Sequence, residues 1–135
     1  MTVTYQWRGE FTNREVNVLH AEAFGTRVFD ESEWNWVELV HRHSLGWVVA
    51  REDPDLVGFV NVLWDGLVHA WLQDTMVAVA ARGHGIGTKL VDHARRSAKE
   101  AGCDFLHVDF DDHLAPFYYG SCGFRPTRAG LLELN

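Results

Sequence analysis

The segment VAVAARGHGIGTKLV, residues 77–91, places three glycines within positions 83–87, between an apolar run and a helical pattern. Glycine has no Cβ, so its backbone adopts left-handed conformations and comes close to a ligand. The pattern predicts a strand, a loop and a helix whose first N–H groups have no partner and carry partial positive charge. A helix start of this kind binds anions. The alternative is a tight turn that holds no ligand.

Two nucleotide-binding motifs do not fit this loop. A P-loop ends in Gly-Lys followed by Ser or Thr, whereas Gly87 is followed by Thr88 and then by Lys89. A dinucleotide fingerprint needs the spacing G-x-G-x-x-G, and the glycines here are spaced two and two. A nucleotide loop is therefore disfavoured, and an anion cradle of another kind or a plain turn remains.

Alternating and helical apolar patterns, separated by turn residues, predict ten elements in the order β-α-α-β-β-β-α-β-α-β. This order favours an α/β fold, a single-domain mixed sheet flanked by helices. The expected spans, in chain order, are strand 3–7, helix 12–25, helix 30–44, strands 46–52, 56–64 and 70–79, helix 86–101, strand 104–110, helix 113–124 and strand 125–134.

The ends of the first two helices carry capping signals. Thr12 and Glu15 have the spacing of a capping box, and Gly25 is placed to end the helix that they begin. Asp30 and Glu33 repeat the spacing and predict the start of the second helix there.

Composition limits the size, the location and the partners. The chain has 135 residues, of which 47% are hydrophobic, and this fits one domain over residues 1–135. Its net charge of −7 disfavours nucleic acid as a partner and favours a cationic one. Two cysteines do not make a disulfide framework, and no apolar run is long enough to span a bilayer. No membrane partner and a cytoplasmic location are therefore expected.

The glycine loop resembles a motif of a known family. Arg82, Gly85 and Gly87 match the acyl-CoA-binding motif of the GCN5-related N-acetyltransferase (GNAT) family. That motif reads Arg or Gln, two residues, Gly, one residue, and Gly or Ala.

A second match lies in DHLAPFYYGSCGF. It resembles a late segment of the family in which an Asn, an Ala and a Tyr precede Gly-Phe. Those positions fall on Asp112, Ala115, Tyr119, Gly123 and Phe124. Two motifs in the right order are more specific than either motif alone.

The resemblance implies the GNAT acyl-CoA N-acyltransferase fold, acetyl-CoA as cosubstrate and no metal. It implies that the pantetheine arm pairs with the strand before the loop, where the Val77 N–H polarises the acetyl carbonyl. It also implies that the pyrophosphate lies on the amides of the loop. The cofactor-binding residues expected on this basis are Met76, Val77, Val79, Arg82, Gly83, His84, Gly85, Ile86, Gly87 and Thr88.

The chemistry implied by the family is direct attack of an amine on the thioester, with a tyrosine as the acid that protonates the leaving thiolate. Tyr119 fits the spacing from both ends of the second motif. Tyr118 fits instead if the family position is defined by the Phe-Tyr pair and the helix carries one extra residue before Gly123. Adjacent helical residues point about 100° apart, so one of the two is expected to face the reaction site.

The general base is the least defined role. Some relatives use a Glu four positions before the counterpart of Val77, where this chain has Gln73, which cannot accept a proton. His69 has the same strand parity as Gln73, and histidine as a residue type is suited to proton transfer at neutral pH, so it is a candidate base facing the acceptor. Asp74 points to the opposite face by strand alternation and is expected to be a satisfied carboxylate.

The sequence does not identify the acceptor amine. Asp109, Asp111 and Asp112 form either a solvated loop or a docking site for a cationic amine. The expected function is acetyl transfer from acetyl-CoA to a primary amine of a small molecule or peptide. The resemblance implies a homodimer, as in many relatives. The alternative, supported by Gln73, is a non-catalytic acyl-CoA-binding or regulatory domain.

Overall fold

The structure, a computed structural model, describes residues 2–135 and contains one five-stranded mixed sheet with helices against both faces. Its elements are β1 (Thr4–Trp7), α1 (Asn13–Phe24), α2 (Trp36–His43), β2 (Ser44–Glu52), β3 (Asp55–Trp64), β4 (His69–Val77), α3 (Ile86–Glu100) and β5 (Phe105–Val108). The spatial order is β1-β2-β3-β4-β5. The first four strands are antiparallel to their neighbours, and β5 runs parallel to β4. The predicted α/β mixed sheet is confirmed.

The helices cover the sheet in two layers. On one face α3 buries Ile86, Leu90 and Ala94 against β2, β3 and β4. On the other face Trp36 and Val40 of α2 pack beside α1 over β2 and β3. No helix within residues 2–135 combines the length and the apolar character that a membrane crossing requires.

Local signals predicted α1 correctly. The Glu15 N–H donates to Thr12 Oγ1 at 3.1 Å, and the Thr12 N–H donates to Glu15 Oε1 at 3.0 Å, so the capping box is complete. Gly25 ends the helix in a left-handed conformation at φ 68°. The Glu15 carboxylate also pairs with both terminal nitrogens of Arg51, at 2.7 and 3.0 Å, which ties the start of α1 to β2.

The predicted start of the second helix at Asp30 is wrong. Asp30 and Glu33 do exchange side-chain and backbone hydrogen bonds, but these close one isolated turn, and the Glu33 carboxylate is also paired with Arg27. The helix begins at Trp36, capped by Asn35, whose side chain accepts from the Glu38 N–H at 3.0 Å. The hydrogen bonds expected between Asp30 and Glu33 therefore form, but they close a turn and do not begin a helix.

The C-terminal part also differs from expectation. The short helix expected over 113–124 is a 3-10 turn (Asp112–Leu114) followed by a π-helical segment (Pro116–Ser121). The last strand expected over 125–134 is absent from the described chain. Pro126 cannot donate to a ladder and Gly130 weakens a strand, so only the stretch 131–134 remains, and Glu133 interrupts its leucines.

Candidate functional site

β4 and β5 separate part of the way along the sheet. Their ladder runs from His69, opposite Phe105, to Leu72, opposite Val108. β4 then continues to Val77 without β5 beside it. This leaves one side of the C-terminal half of β4 open.

A bulge lies in the open part of β4. Asn61 of β3 is opposite Gln73 and Phe59 is opposite Met76, so three steps on β4 match two on β3. The backbone at Asp74 is left-handed, at φ 57°. A bulge inserts one residue and disrupts the regular alternation of side chains, so parity counted from His69 does not extend past this point.

The register places the Val77 amide on the open side. The Ala78 N–H donates to the Val57 carbonyl oxygen at 2.8 Å, so this pair is the hydrogen-bonded type of antiparallel pair. Val77 and Gly58, the adjacent pair, are therefore the other type, whose backbone groups point outward. The Val77 N–H faces the gap that β5 leaves.

The glycine loop presents a run of free amides. The N–H groups of residues 83–88 have no hydrogen-bond acceptor in the described part of the chain, and Gly85, the N-cap of α3, supplies no side-chain cap. Their dipoles add to that of the helix, so the loop attracts an anion. Gly83 and Gly85 need glycine for their φ values of 83° and 76°, and a Cβ on Gly87 would come within 3.1 Å of Phe117.

A cavity of about 770 Å³ joins the loop, the open side of β4 and the late helical segment. Seven of the predicted cofactor-binding residues line it, together with one predicted catalytic residue, Tyr118. The lining residues are Ala23, Phe24, Thr75, Val77, Ala81, Arg82, Gly83, Gly85, Ile86, Gly87, Thr88, Asp111, His113, Leu114, Phe117 and Tyr118.

The two candidate tyrosines differ in environment. Tyr118 is 6% exposed, and its hydroxyl donates to Thr75 Oγ1 at 3.2 Å. Its ring stacks on Phe110 with centroids 4.7 Å apart, and burial raises the pKa of its hydroxyl. Tyr119 is 40% exposed and does not line the cavity. The structure therefore brings Tyr118, and not Tyr119, to the open side of β4.

Four other predicted residues lie outside the cavity lining. Met76 is buried between the sheet and α1, with its backbone on the β3 side. The Val79 N–H donates to the carboxylate of Glu22 at 3.1 Å, and the His84 side chain is exposed. His69 is at the start of β4, eight residues from Val77 and roughly 25 Å away along the strand. Its Nδ1 is 2.8 Å from Nε2 of His107.

Several cavity residues were not assigned by sequence reasoning. Thr75 was missed, although a hydroxyl residue two positions before Val77 on β4 was a usable signal. Phe24 and His113 also line the cavity, and only tertiary folding brings them there. Asp111 is the one member of the acidic run on the cavity wall.

Asp74 is the one acidic residue of β4, and the pKa of its carboxyl group is strongly shifted. Burial raises its pKa from 3.8 to about 6. Its side chain has no hydrogen-bond partner within residues 2–135, which differs from the satisfied carboxylate expected from the sequence. A carboxylate that titrates near pH 6 can exchange protons at neutral pH.

Comparison with known proteins gives a family and a fold. The sequence pattern of the acetyltransferase (GNAT) family matches residues 5–124. A probable glucosamine 6-phosphate N-acetyltransferase 2 from Oryza sativa subsp. japonica is 42% identical over 53 residues, which cover 39% of this chain and 31% of that protein. The chain thus matches less than a third of that relative's length.

Two solved structures show the same fold. A transcriptional regulator from Bacillus halodurans C-125 has a TM-score of 0.82 at 24% identity, with 98% of this chain and 99% of that chain covered. An aminoglycoside N-acetyltransferase in complex with CoA has a TM-score of 0.79 at 14% identity, with 99% and 95% covered. Because the family pattern extends over most of the sequence, the chain belongs to the GNAT family of acetyltransferases.

Proposed function

We propose that the protein is a single-domain, cytoplasmic N-acetyltransferase that moves an acetyl group from acetyl-CoA to a primary amine. The observation that carries this proposal is the run of unpartnered amides at the start of α3, which forms one wall of the cavity that Tyr118 also lines. Membership of the family supports acetyl-CoA as the acetyl donor. The two free cysteines are in keeping with a reducing compartment such as the cytoplasm.

The donor is proposed to lie along the loop and the open side of β4. The amides of residues 83–88 hold the pyrophosphate, with Arg82 beside it. The outward N–H of Val77 donates to the acetyl carbonyl oxygen, where negative charge develops during attack. Met76 is assigned no direct contact, and the Val79 amide becomes available only if the carboxylate of Glu22 moves away.

The proposed reaction has two proton transfers. The amine nitrogen forms a bond to the acetyl carbon while the carbon–sulfur bond breaks and sulfur takes the electron pair. The Tyr118 hydroxyl gives its proton to that sulfur, and its raised pKa keeps it protonated beforehand. The proton lost from the amine goes to a base, for which we propose Asp74 acting through water, because its side chain is not among those that line the cavity.

Asp74 is proposed as base for reasons of position and titration. It is the one carboxylate in the β4 sequence, it forms the bulge on the open stretch, and it directly precedes Thr75, the partner of Tyr118. Gln73 cannot accept a proton, and His69 is too distant from Val77 to serve the same reaction. Asp111 on the cavity wall and the net charge of −7 favour a cationic amine as acceptor.

Replacing Asp74 with asparagine should stabilise the protein at neutral pH. Because the folded-state pKa is raised from 3.8 to about 6, ionisation of Asp74 costs folding free energy as the pH rises through that interval. The neutral amide removes this cost, so the free energy of unfolding should increase by about 2–3 kcal/mol at pH 8 and not measurably below about pH 3. Urea unfolding of the two proteins at both pH values measures this change in the free energy of unfolding.

The same variant tests the catalytic assignment. Turnover should fall, and the inflection of kcat/KM near pH 6 should vanish. Asp55→Asn, at the exposed turn between β2 and β3, is the matched control and should change neither stability nor turnover. An Asp74→Asn enzyme with unaltered kinetics would rule out Asp74 as the base.

A second candidate function is acyl-CoA binding without catalysis. Gln73, which stands where some relatives carry a Glu, is the observation that favours it. In that case the amide cradle would hold the same ligand, but no acceptor would react.

Ligand-induced stabilisation and thiol release separate the candidates. Acetyl-CoA at about 100 times its Kd should stabilise the folded state by about 2.7 kcal/mol and raise Tm, whereas ATP should not. A panel of primary amines, from polyamines and amino sugars to peptides, should then release free thiol. A Tm shift with ATP alone would contradict the donor, and a shift with acetyl-CoA without thiol release from any amine would favour the binding domain.

A further inference from the structure

Glu22 of α1 caps an amide that lies on the path proposed for the donor. Its Oε1 accepts a hydrogen bond from the Val79 N–H at 3.1 Å, between residues 57 positions apart in the sequence. Val79 lies in the chain between Val77, whose N–H faces the open side of β4, and the glycine loop at residues 83–88. A donor that extends from Val77 to the loop therefore passes an amide that a carboxylate already occupies.

This hydrogen bond is open to competition from a ligand. Glu22 is exposed, and the side chain of Val79 is 53% exposed. A carboxylate oxygen and an amide carbonyl oxygen both accept from a backbone N–H, so an amide of the pantetheine arm can take the place of Glu22. The carboxylate also carries the same sign of charge as the anionic cosubstrate, so its departure from this path favours donor binding.

The displaced carboxylate has no cationic partner of its own. Within residues 2–135, no Lys, Arg or His side chain forms an ion pair with Glu22. The next two residues of α1, Ala23 and Phe24, line the cavity, so the end of this helix borders the reaction site. A cationic group that enters the cavity is therefore a suitable partner for the displaced carboxylate.

The position of Glu22 suits an ammonium group other than the one that reacts. The attacking nitrogen must lose a proton, and an ion pair with a carboxylate would favour its protonated form. Val79 is two residues beyond Val77, roughly 7 Å along an extended backbone, so the carboxylate lies away from the proposed position of the acetyl carbonyl. That separation fits a second amine joined to the first by a short carbon chain.

We propose that Glu22 is a displaceable cap: acetyl-CoA takes the Val79 amide from it, and the displaced carboxylate then binds a second cationic group of the acceptor. The acceptor class is accordingly a diamine, in which one amine is acetylated and the other is held by Glu22. This inference rests on the proposed function, because it requires acetyl-CoA on the glycine loop and on the open side of β4. Glu22 binds substrate here and takes part in no proton transfer.

Calorimetry with acetyl-CoA tests the displacement. Glu22→Ala removes both the cap and its charge, so acetyl-CoA should bind about fivefold more tightly, as expected when one modest hydrogen bond no longer has to be broken. Glu22→Gln keeps an acceptor oxygen without the charge, and its affinity should lie between those of the other two proteins. Glu100→Ala, at an exposed glutamate at the opposite end of α3 from the loop, is the matched control and should bind like the wild type. Unchanged or weaker binding by Glu22→Ala would overturn the inference.

Steady-state kinetics with diaminobutane and butylamine test the acceptor class. For the wild type, kcat/KM should be at least about fivefold higher for the diamine, which is more than its two equivalent amines explain by number. Glu22→Gln and Glu22→Ala should lose this preference through a higher KM for the diamine, while kcat with butylamine stays the same. Turnover of both amines without the preference, or a preference that persists in both variants, would overturn this inference and not the proposed function. A wild type that does not bind acetyl-CoA, or that acetylates no amine, would overturn both.

Discussion

Acetyl-CoA binding should weaken by at least about 100-fold when Gly85 is replaced by valine, which corresponds to about 2.7 kcal/mol of binding free energy. Gly85 is the N-cap of α3 at φ 76°, and no other atom lies within 4 Å of the position that a Cβ would occupy. Added methyl groups would therefore fill the space where we propose that the pyrophosphate approaches the amides. Isothermal titration calorimetry and the acetyl-CoA-dependent shift in Tm measure the loss.

Gly102→Val is the matched control for Gly85→Val. Gly102 follows the other end of α3, has φ 98°, and is likewise surrounded by open space. Both substitutions force a β-branched residue into the left-handed region, so both should lower the stability of the unliganded protein by about 1–3 kcal/mol. Only Gly85→Val should lose acetyl-CoA binding. Equal losses in the two variants would show that backbone strain, and not the cradle, is responsible.

Removing the Tyr118 hydroxyl should lower kcat by about 10²–10⁴-fold, the range for loss of a general acid. Tyr118→Phe keeps the ring, which stacks on Phe110 in the core, and loses the hydroxyl that meets Thr75. The affinity for acetyl-CoA should change little, because the proposed donor contacts are made by the amides of the loop. Steady-state kinetics with a reactive amine, together with calorimetry, separate kcat from binding.

Tyr119→Phe is the control for Tyr118→Phe because the two residues are adjacent and undergo the same chemical change. Tyr119 is 40% exposed and outside the cavity, so its variant should keep near-normal turnover. If Tyr119→Phe lost activity and Tyr118→Phe did not, the acid would have to be reassigned. Loss of acetyl-CoA affinity in Tyr118→Phe would indicate a binding role.

Elements with strong local signals were predictable from the sequence. The capping box at Thr12 and the glycine at position 25 delimit α1, and the strands expected over 46–52 and 56–64 form as β2 and β3. These features depend on residues within a few positions of one another. Asp30 shows the limit of such signals, since its side-chain hydrogen bonds form as expected but close only a turn. Whether a turn extends into a helix depends on packing of the next residues, and that packing begins at Trp36.

The candidate site was predictable in outline. The glycine loop before a helix was identified from spacing alone, and its amides are indeed unpartnered in the described chain. Strand parity, however, does not extend from His69 across the bulge at Asp74, because one inserted residue disrupts the alternation that follows. The raised pKa of Asp74 could not be predicted from the sequence either, because it results from burial in the folded protein.

The sequence by itself determined the glycine loop and the free amides at the start of α3, since three glycines and a helix start are contiguous and their geometry is local. Tertiary structure decided which tyrosine faces the open side of β4, because contacts of Tyr118 with distant residues such as Thr75 help to orient it. It also left residues 125–134 off the sheet, although their pattern predicted a strand. The physical reason is that a strand needs a distant edge with which to pair, whereas a glycine turn and a helix cap form from neighbouring residues alone.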